Sequence, residues 1–483
     1  MWTIQEVALA RKALLICGPS EIDWDVFVYA AYRLSKYEGE AYGSSGSASE
    51  LWAAADLHHT VTEMFSSRVT VSDLRSRIPT TVSSILFGTG GKGATDPKDR
   101  VYSLYGIFTA LGVHIPKPDY TRDLHNIYRE ATQAAILADE SLEALEHTLG
   151  LSSLTTNGMA SWADTWTDQH VARGISSMFS ASGHGSSPAY SFSEDGRKLT
   201  ARGQIIDTVS ARSKIVAMED GPDQPGDDVR VTLAPFTTKT VKMYQEWILL
   251  LHQIPGFPGY IAGDSAPRAF HRMLVQDGSM TPDGVMQLPT LEKGFLKWYG
   301  LMVSNLDEET KLPNTTARDY LDWLPESLYY LTKTEEWDIM QAILADREEA
   351  GLFQMHADYH SKLKVMFLTE GGLIGTASRL VEEGDMVVLV AGVSVPLLLR
   401  PTGQDEGEFK VVGPAYVQGV MYGERWEEGN TAGGTARNCC CIGPWFWGRK
   451  AAEARRLTRS QAEGMGPEAI HPTTGPGDFI ILV

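Results

Sequence analysis

Cysteine is scarce in this 483-residue chain, which holds only Cys17 and the adjacent run Cys439, Cys440 and Cys441. Four thiols so placed give no disulfide framework. Zinc ligands must come from separated positions to surround one ion, so the run is read as an exposed, redox-sensitive or lipidated cluster in a loose tail, and no metal is expected. Long apolar runs are also missing. The opening MWTIQEVALARKALLICG is interrupted by Glu6, Arg11 and Lys12, so no secretory core forms. No apolar stretch reaches the roughly 18 residues of a membrane helix. A cytoplasmic protein without a membrane span is therefore expected. Basic residues are outnumbered, 42 Lys plus Arg against 61 Asp plus Glu, for a net charge of -19. The field of such a chain repels polyanions, so nucleic acid is not expected as a partner. Catalytic signatures are scarce as well, with no G-x-S-x-G elbow, H-E-x-x-H helix or C-x-x-C pair. The glycine-rich GTGGKGATDPKDR, from Gly88 to Arg100, lacks the P-loop pattern because Lys92 is followed by Gly93. No cofactor is implied, and catalytic residues, if any, stay unknown.

What remains is ordinary globular material, 43% hydrophobic and 21% charged, long enough for two or three domains or lobes. The chain is organised around Gly384 to Glu424. Met386 to Val390 and Pro396 to Leu399 are Val- and Leu-rich runs bounded by Gly and Pro, which predicts two buried strands and a turn. Phe409 to Val412 predicts a third strand, and Tyr416 to Met421 a fourth apolar segment. Leu199 to Val209 alternates and is rich in β-branched residues, so it reads as another strand. Helical spacing marks Trp2 to Leu15, then a second helix through Val26, Phe27, Ala30 and Leu34 capped by Ser20 or Asp23. Helices are also expected from Glu50 to Met64 and Thr70 to Ile78. Asp96-Pro97 starts another, with Val101, Leu104 and Tyr105 facing a core. Leu124 to Ala135 carries one apolar face. Between Lys239 and Glu348 the candidates are Val241 to Leu251, Ala266 to Leu274, Lys293 to Val303, Ala317 to Trp323 and Glu336 to Arg347.

The predicted fold class is α+β, mainly helical in the N-terminal and middle regions, with a C-terminal antiparallel β unit. The expected organisation is residues 1-36 as one segment, a helical region at 50-150, and a loop and strand region at 160-218 joining the C-terminal sheet. An aromatic-rich helical region at 239-350, a β unit at 363-424 and a tail at 430-483 complete it.

The order Gly384-Asp385, Pro396, Leu399-Arg400-Pro401, Val412-Gly413, Ala415-Tyr416-Val417, Gly419-Val420-Met421 and Gly423-Glu424 resembles the C-terminal region of fungal heterokaryon-incompatibility (HET) domain proteins. Thr95 to Gly106, Pro118 to Leu137 and, more weakly, Trp162 to Trp166 resemble other blocks of the same family. Trp2 to Glu6 with Ala10-Arg11 and Cys17-Gly18 looks like the last block of the HET domain itself. The resemblance implies that residues 1-36 are the end of that domain and that most of its N-terminal part, thought to trigger cell death, is lacking, whether naturally or by truncation.

Two functions follow from these readings. The first, implied by the resemblance, is a scaffold for self/non-self recognition or cell-death signalling in a filamentous fungus, with a protein partner. The alternative is a repurposed, cofactor-independent biosynthetic catalyst of specialised metabolism, a pericyclase or cyclase such as a Diels-Alder type enzyme of terpenoid or polyketide routes. It would fold an apolar small molecule in a shaped pocket by orientation and desolvation. The pocket candidates are Trp298, Tyr299, Arg400, Tyr416, Tyr422 and Glu424. Arg400 and Glu424 read more readily as a strand-end charge and a cap than as ligands.

Overall fold

The computed structural model describes residues 5–27, 81–149, 159–163, 179–214, 238–276, 288–304, 336–403, 407–426 and 479–483, with short gaps inside these ranges. The segments from Glu50 to Met64, Thr70 to Ile78 and Ala317 to Trp323, the glycines around Lys92, and Cys439 to Cys441 lie outside the described residues.

At the amino terminus the helical expectation is met in part: Gln5, Glu6 and Leu9 are helical, and Trp24, Val26 and Phe27 belong to the second expected helix, but residues 12–23 between them are not helical. Leu14–Cys17 (β1) and Ser20–Asp23 (β2) form an antiparallel hairpin, with Cys17 paired to Ser20. The two-residue turn is Gly18-Pro19, and Gly18 has φ 57°, the positive value that hairpin turns of this length require and glycine supplies cheaply. Ser20 thus serves as a strand residue rather than as a cap, and Asp23 ends β2 immediately before helical Trp24. The apolar spacing of Ile4, Val7 and Leu14 resembled a helix, but the Leu-Leu-Ile-Cys run followed by Gly-Pro is a strand and turn signal.

A first helical group follows. Val82–Gly90 (α1), Asp99–Tyr102 (α2), Tyr105–Ala110 (α3) and Leu124–Asp139 (α4) make it up, with α1, α2 and α4 packed on one another. Asp96 opens α2 by accepting from the Lys98 backbone N–H at 2.9 Å, and Val101 and Leu104 are fully buried. Asp123 caps α4 through the Asn126 N–H. Ile127, Tyr128, Ala131 and Ala135 supply its buried face, the spacing of a single helical stripe.

The dominant element is a closed barrel. Its staves are Leu199–Arg212 (β4), Lys364–Thr369 (β5), Ile374–Ser378 (β6), Met386–Val390 (β7), Leu397–Pro401 (β8) and Glu408–Val417 (β9). Every neighbour pair is antiparallel in the order β4-β5-β6-β9-β8-β7, and β7 returns to β4 to close the ring. Closure removes the free edges that an open sheet would expose. Tyr190–Phe192 (β3) adds to β4, and Phe479–Leu482 (β10) bridges β4 antiparallel and β9 parallel. Tyr416 to Met421 is not a separate fourth strand. β9 runs through Gly413 and Pro414 to Val417, absorbing the interruption by a register shift opposite Leu398 and Leu399.

Helices inserted between β4 and β5 form a second layer: Thr238–Leu251 (α5), Ala266–Val275 (α6), Leu288–Ser304 (α7), Glu336–Ala345 (α8) and Ala350–Ser361 (α9). Contacts of α5 with β5 and α6 with β6 seat this layer on the barrel. The chain is therefore α+β, with both layers in one hydrophobic core. The emphasis on a mainly helical protein is not carried, because the alternating segment at 199–212 is the longest stave and residues 14–23 are a hairpin.

Candidate functional site

The richest grouping of polar chemistry inside an apolar setting lies in the second helical layer. On α7, Leu291, Phe295, Trp298, Tyr299 and Met302 recur at helical spacing and are buried. On α9, Ala350, Phe353, Gln354 and Ala357 face them. Tyr244 and Trp247 of α5 and Phe270 of α6 complete an aromatic cluster in which Trp298 meets Tyr244 edge-on at 5.0 Å and Phe353 at 5.1 Å. Phe295 touches both Phe353 and Tyr299 at 5.3 and 5.4 Å. Such pairs add about 0.5–1.5 kcal/mol each beyond burial.

One hydrogen-bond chain runs through this cluster. The Trp298 indole N–H donates to Gln354 Oε1 at 2.5 Å, Gln354 Nε2 donates to Asp358 Oδ1 at 2.6 Å, and the Tyr244 hydroxyl donates to the same oxygen at 2.9 Å. Burial pushes the Asp358 carboxyl up to about 7, against the two donors, which pull it down. Burial, with Asp358 beside it, also raises the Tyr244 hydroxyl. Nearby, His252 lies 3.3 Å from the Tyr299 hydroxyl, and His271 packs on Phe295; burial lowers both imidazoles to about 4. They are neutral at pH 7. The arrangement can hold one proton on a carboxyl near neutral pH, inside an otherwise apolar layer.

The six pocket candidates do not share one such grouping. Trp298 and Tyr299 belong to it, each with ring partners on several helices. Arg400 stands at the end of β8, where its Nε and Nη2 donate to Asp385 at 2.8 and 3.0 Å. Nη2 also reaches the Leu380 carbonyl, and Nη1 lies 2.9 Å from Glu382. Asp385 is fully buried, and pairing with it raises the Arg400 guanidinium further. This is a structural clamp on the β7–β8 hairpin. Tyr416 is buried in β9 and donates to Gln418 Oε1 at 2.7 Å. The Gln418 carbonyl accepts from Tyr260, whose oxygen in turn accepts from the Ile374 N–H, tying the helical layer to the barrel. Tyr422 is half-exposed against Phe179, and Glu424 accepts from the Tyr422 N–H at 2.7 Å, a local loop cap. Nothing in the described geometry favours the cyclase alternative.

Sequence reasoning passed over Gln354, Asp358 and Tyr244. The signal was present: Gln354 and Asp358 are four apart in AGLFQMHADYHS, polar residues beside an apolar stripe. Among the described residues no cluster of three His, Cys, Asp or Glu is placed to hold a metal ion, and no described helix is long and apolar enough to cross a membrane.

Comparison with known proteins bears on the barrel. Residues 298–431 match the family model described as the Het-6 beta-barrel domain. β5 to β9 fall inside the matched range and β4 precedes it. A relative named "Heterokaryon incompatibility protein 6, OR allele", from Neurospora crassa, is 33% identical over 109 residues. The match covers 20% of this chain and only 16% of that protein's length. No solved structure matches the chain.

Proposed function

We propose that the chain is a heterokaryon-incompatibility (HET) family protein of fungal kind, a scaffold for self/non-self recognition that engages a protein partner in the cytoplasm. The observation carrying this reading is the closed barrel, five of whose six strands lie in the Het-6 match. A ring without free edges resists unwanted strand addition, so recognition falls to its loops and outer face rather than to sheet extension. The acidic balance, net -19, favours a partner with a basic or neutral face and speeds encounter with it.

The test is to express the full chain in fungal strains and pair each with strains of differing incompatibility type. The expected outcome is loss of viability or abortive fusion in particular pairings only. Unchanged growth and fusion in every pairing would sink the proposal. A matched strain carrying Arg400→Met separates a role of the folded barrel from a general burden of expression.

A further inference from the structure

One feature of the barrel is unaccounted for by its packing. Lys364, at the start of β5, is only 3% exposed, and Thr376 of β6 only 2%. Among the described residues neither Lys364 Nζ nor Thr376 Oγ1 has a hydrogen-bond partner. An ammonium in a dry interior costs several kcal/mol unless something compensates it, and orphaned buried groups of this kind are rare.

The register brings the two together. Lys364 pairs with Ser378, and Met366, two residues on, pairs with Thr376. Residues two apart share a face, so Lys364, Met366, Thr376 and Ser378 lie on the same side of the β5–β6 ribbon. Lys364 and Thr376 are diagonal neighbours, about 7 Å apart at their origins. The other polar groups there are already engaged. Ser378 Oγ accepts from the Leu380 N–H, and Tyr416, which pairs with Thr376, donates to Gln418. A single cation and a single hydroxyl are thus left beside the soft thioether of Met366, which repacks readily.

We propose that this face of the barrel binds a small monocarboxylate, the Lys364 ammonium holding one oxygen and the Thr376 hydroxyl the other. One positive charge matches one carboxylate, whereas a phosphate dianion would leave charge uncompensated. The inference stands apart from the recognition role proposed above.

Thermal unfolding of the full chain tests it, in sodium formate, acetate and propionate against sodium chloride at equal ionic strength and pH 7. A saturable rise in Tm with at least one carboxylate, absent with chloride, is expected. Thr376→Val weakens the apparent affinity about tenfold, the loss of one charge-assisted bond. Lys364→Met abolishes the response while still unfolding cooperatively, and Lys364→Gln does the same. Equal behaviour in chloride and all three carboxylates, as a bridging water would give, overturns the proposal. So does a carboxylate response that survives in Lys364→Met.

Discussion

Removing Arg400 should cost more than removing Asp385, although the two form one ion pair. Arg400→Met strands a carboxylate that is wholly buried and keeps only the Glu382 N–H at 2.8 Å. Leaving a buried charge without its partner costs about 3–5 kcal/mol. Asp385→Ala instead leaves a guanidinium whose side chain is 24% exposed, still bonded to the Leu380 carbonyl and beside Glu382. Its lost charge-assisted bonds amount to about 1.5–3 kcal/mol. In the double variant no charge is stranded, so its cost should fall below the sum of the singles by about 2 kcal/mol. Urea unfolding of the full chain reads these differences from midpoints at constant slope. Hydrogen exchange at β7 and β8 amides localises them to the clamp. Additive costs, or an Arg400→Met loss no larger than that of Asp385→Ala, would refute the account of the pair as a buried clamp.

The other predictions concern single groups. Burial draws Lys364 from 10.5 to about 8, so between roughly pH 8 and 10.5 the unfolded chain binds the extra proton and stability rises with pH. The cost is fully present below pH 8, so in carboxylate-free buffer Lys364→Met should stabilise by about 3 kcal/mol at pH 7, with the gain fading between pH 8 and 10.5 and gone above that. Asp358 has the opposite sense: raised from 3.8 to about 7, it is protonated in the folded state alone between those values, so stability falls as pH rises from 4 to 7. Asp358→Asn should therefore stabilise by on the order of 2 kcal/mol at pH 8, discounted for partial exposure, and by almost nothing at pH 4. Unfolding curves taken at several pH values check both. Gly375→Ala should destabilise by about 2–3 kcal/mol in the same assay, since its Cβ would lie 2.5 Å from Phe367 Cζ and from the Tyr416 carbonyl oxygen.

Local signals in the sequence were faithful where one element's own pattern decides its state. Met386 to Val390 is β7 with the same bounds, and the periodic helices from Val241, Ala266, Lys293 and Glu336 correspond to α5 to α8. Ring closure was not legible, because pairing Gly203 with Val390 depends on partners far apart in the chain rather than on either segment. Gly413-Pro414 looked like a break because punctuation residues usually end strands, yet a register shift opposite Leu398 lets β9 continue. Of the candidate site, Trp298 and Tyr299 were visible as aromatics at helical spacing. Their link to Asp358 was not, since it passes through Gln354 on a helix that only packing against α7 reveals.

The stave at 199–212 is separated from the next by the whole inserted helical layer, and β10 joins it only at 479–482. During synthesis β4 therefore emerges with only β3 to pair its first residues, long before its barrel neighbours β5 and β7, and it waits while α5 to α9 are made. A nascent chain in that interval carries a ribbon mostly unmated, a hazard for clumping that grows with delay. Maturation of this protein should accordingly be slow and sensitive to chaperone supply, with the seam between β4 and β7 among the last contacts made.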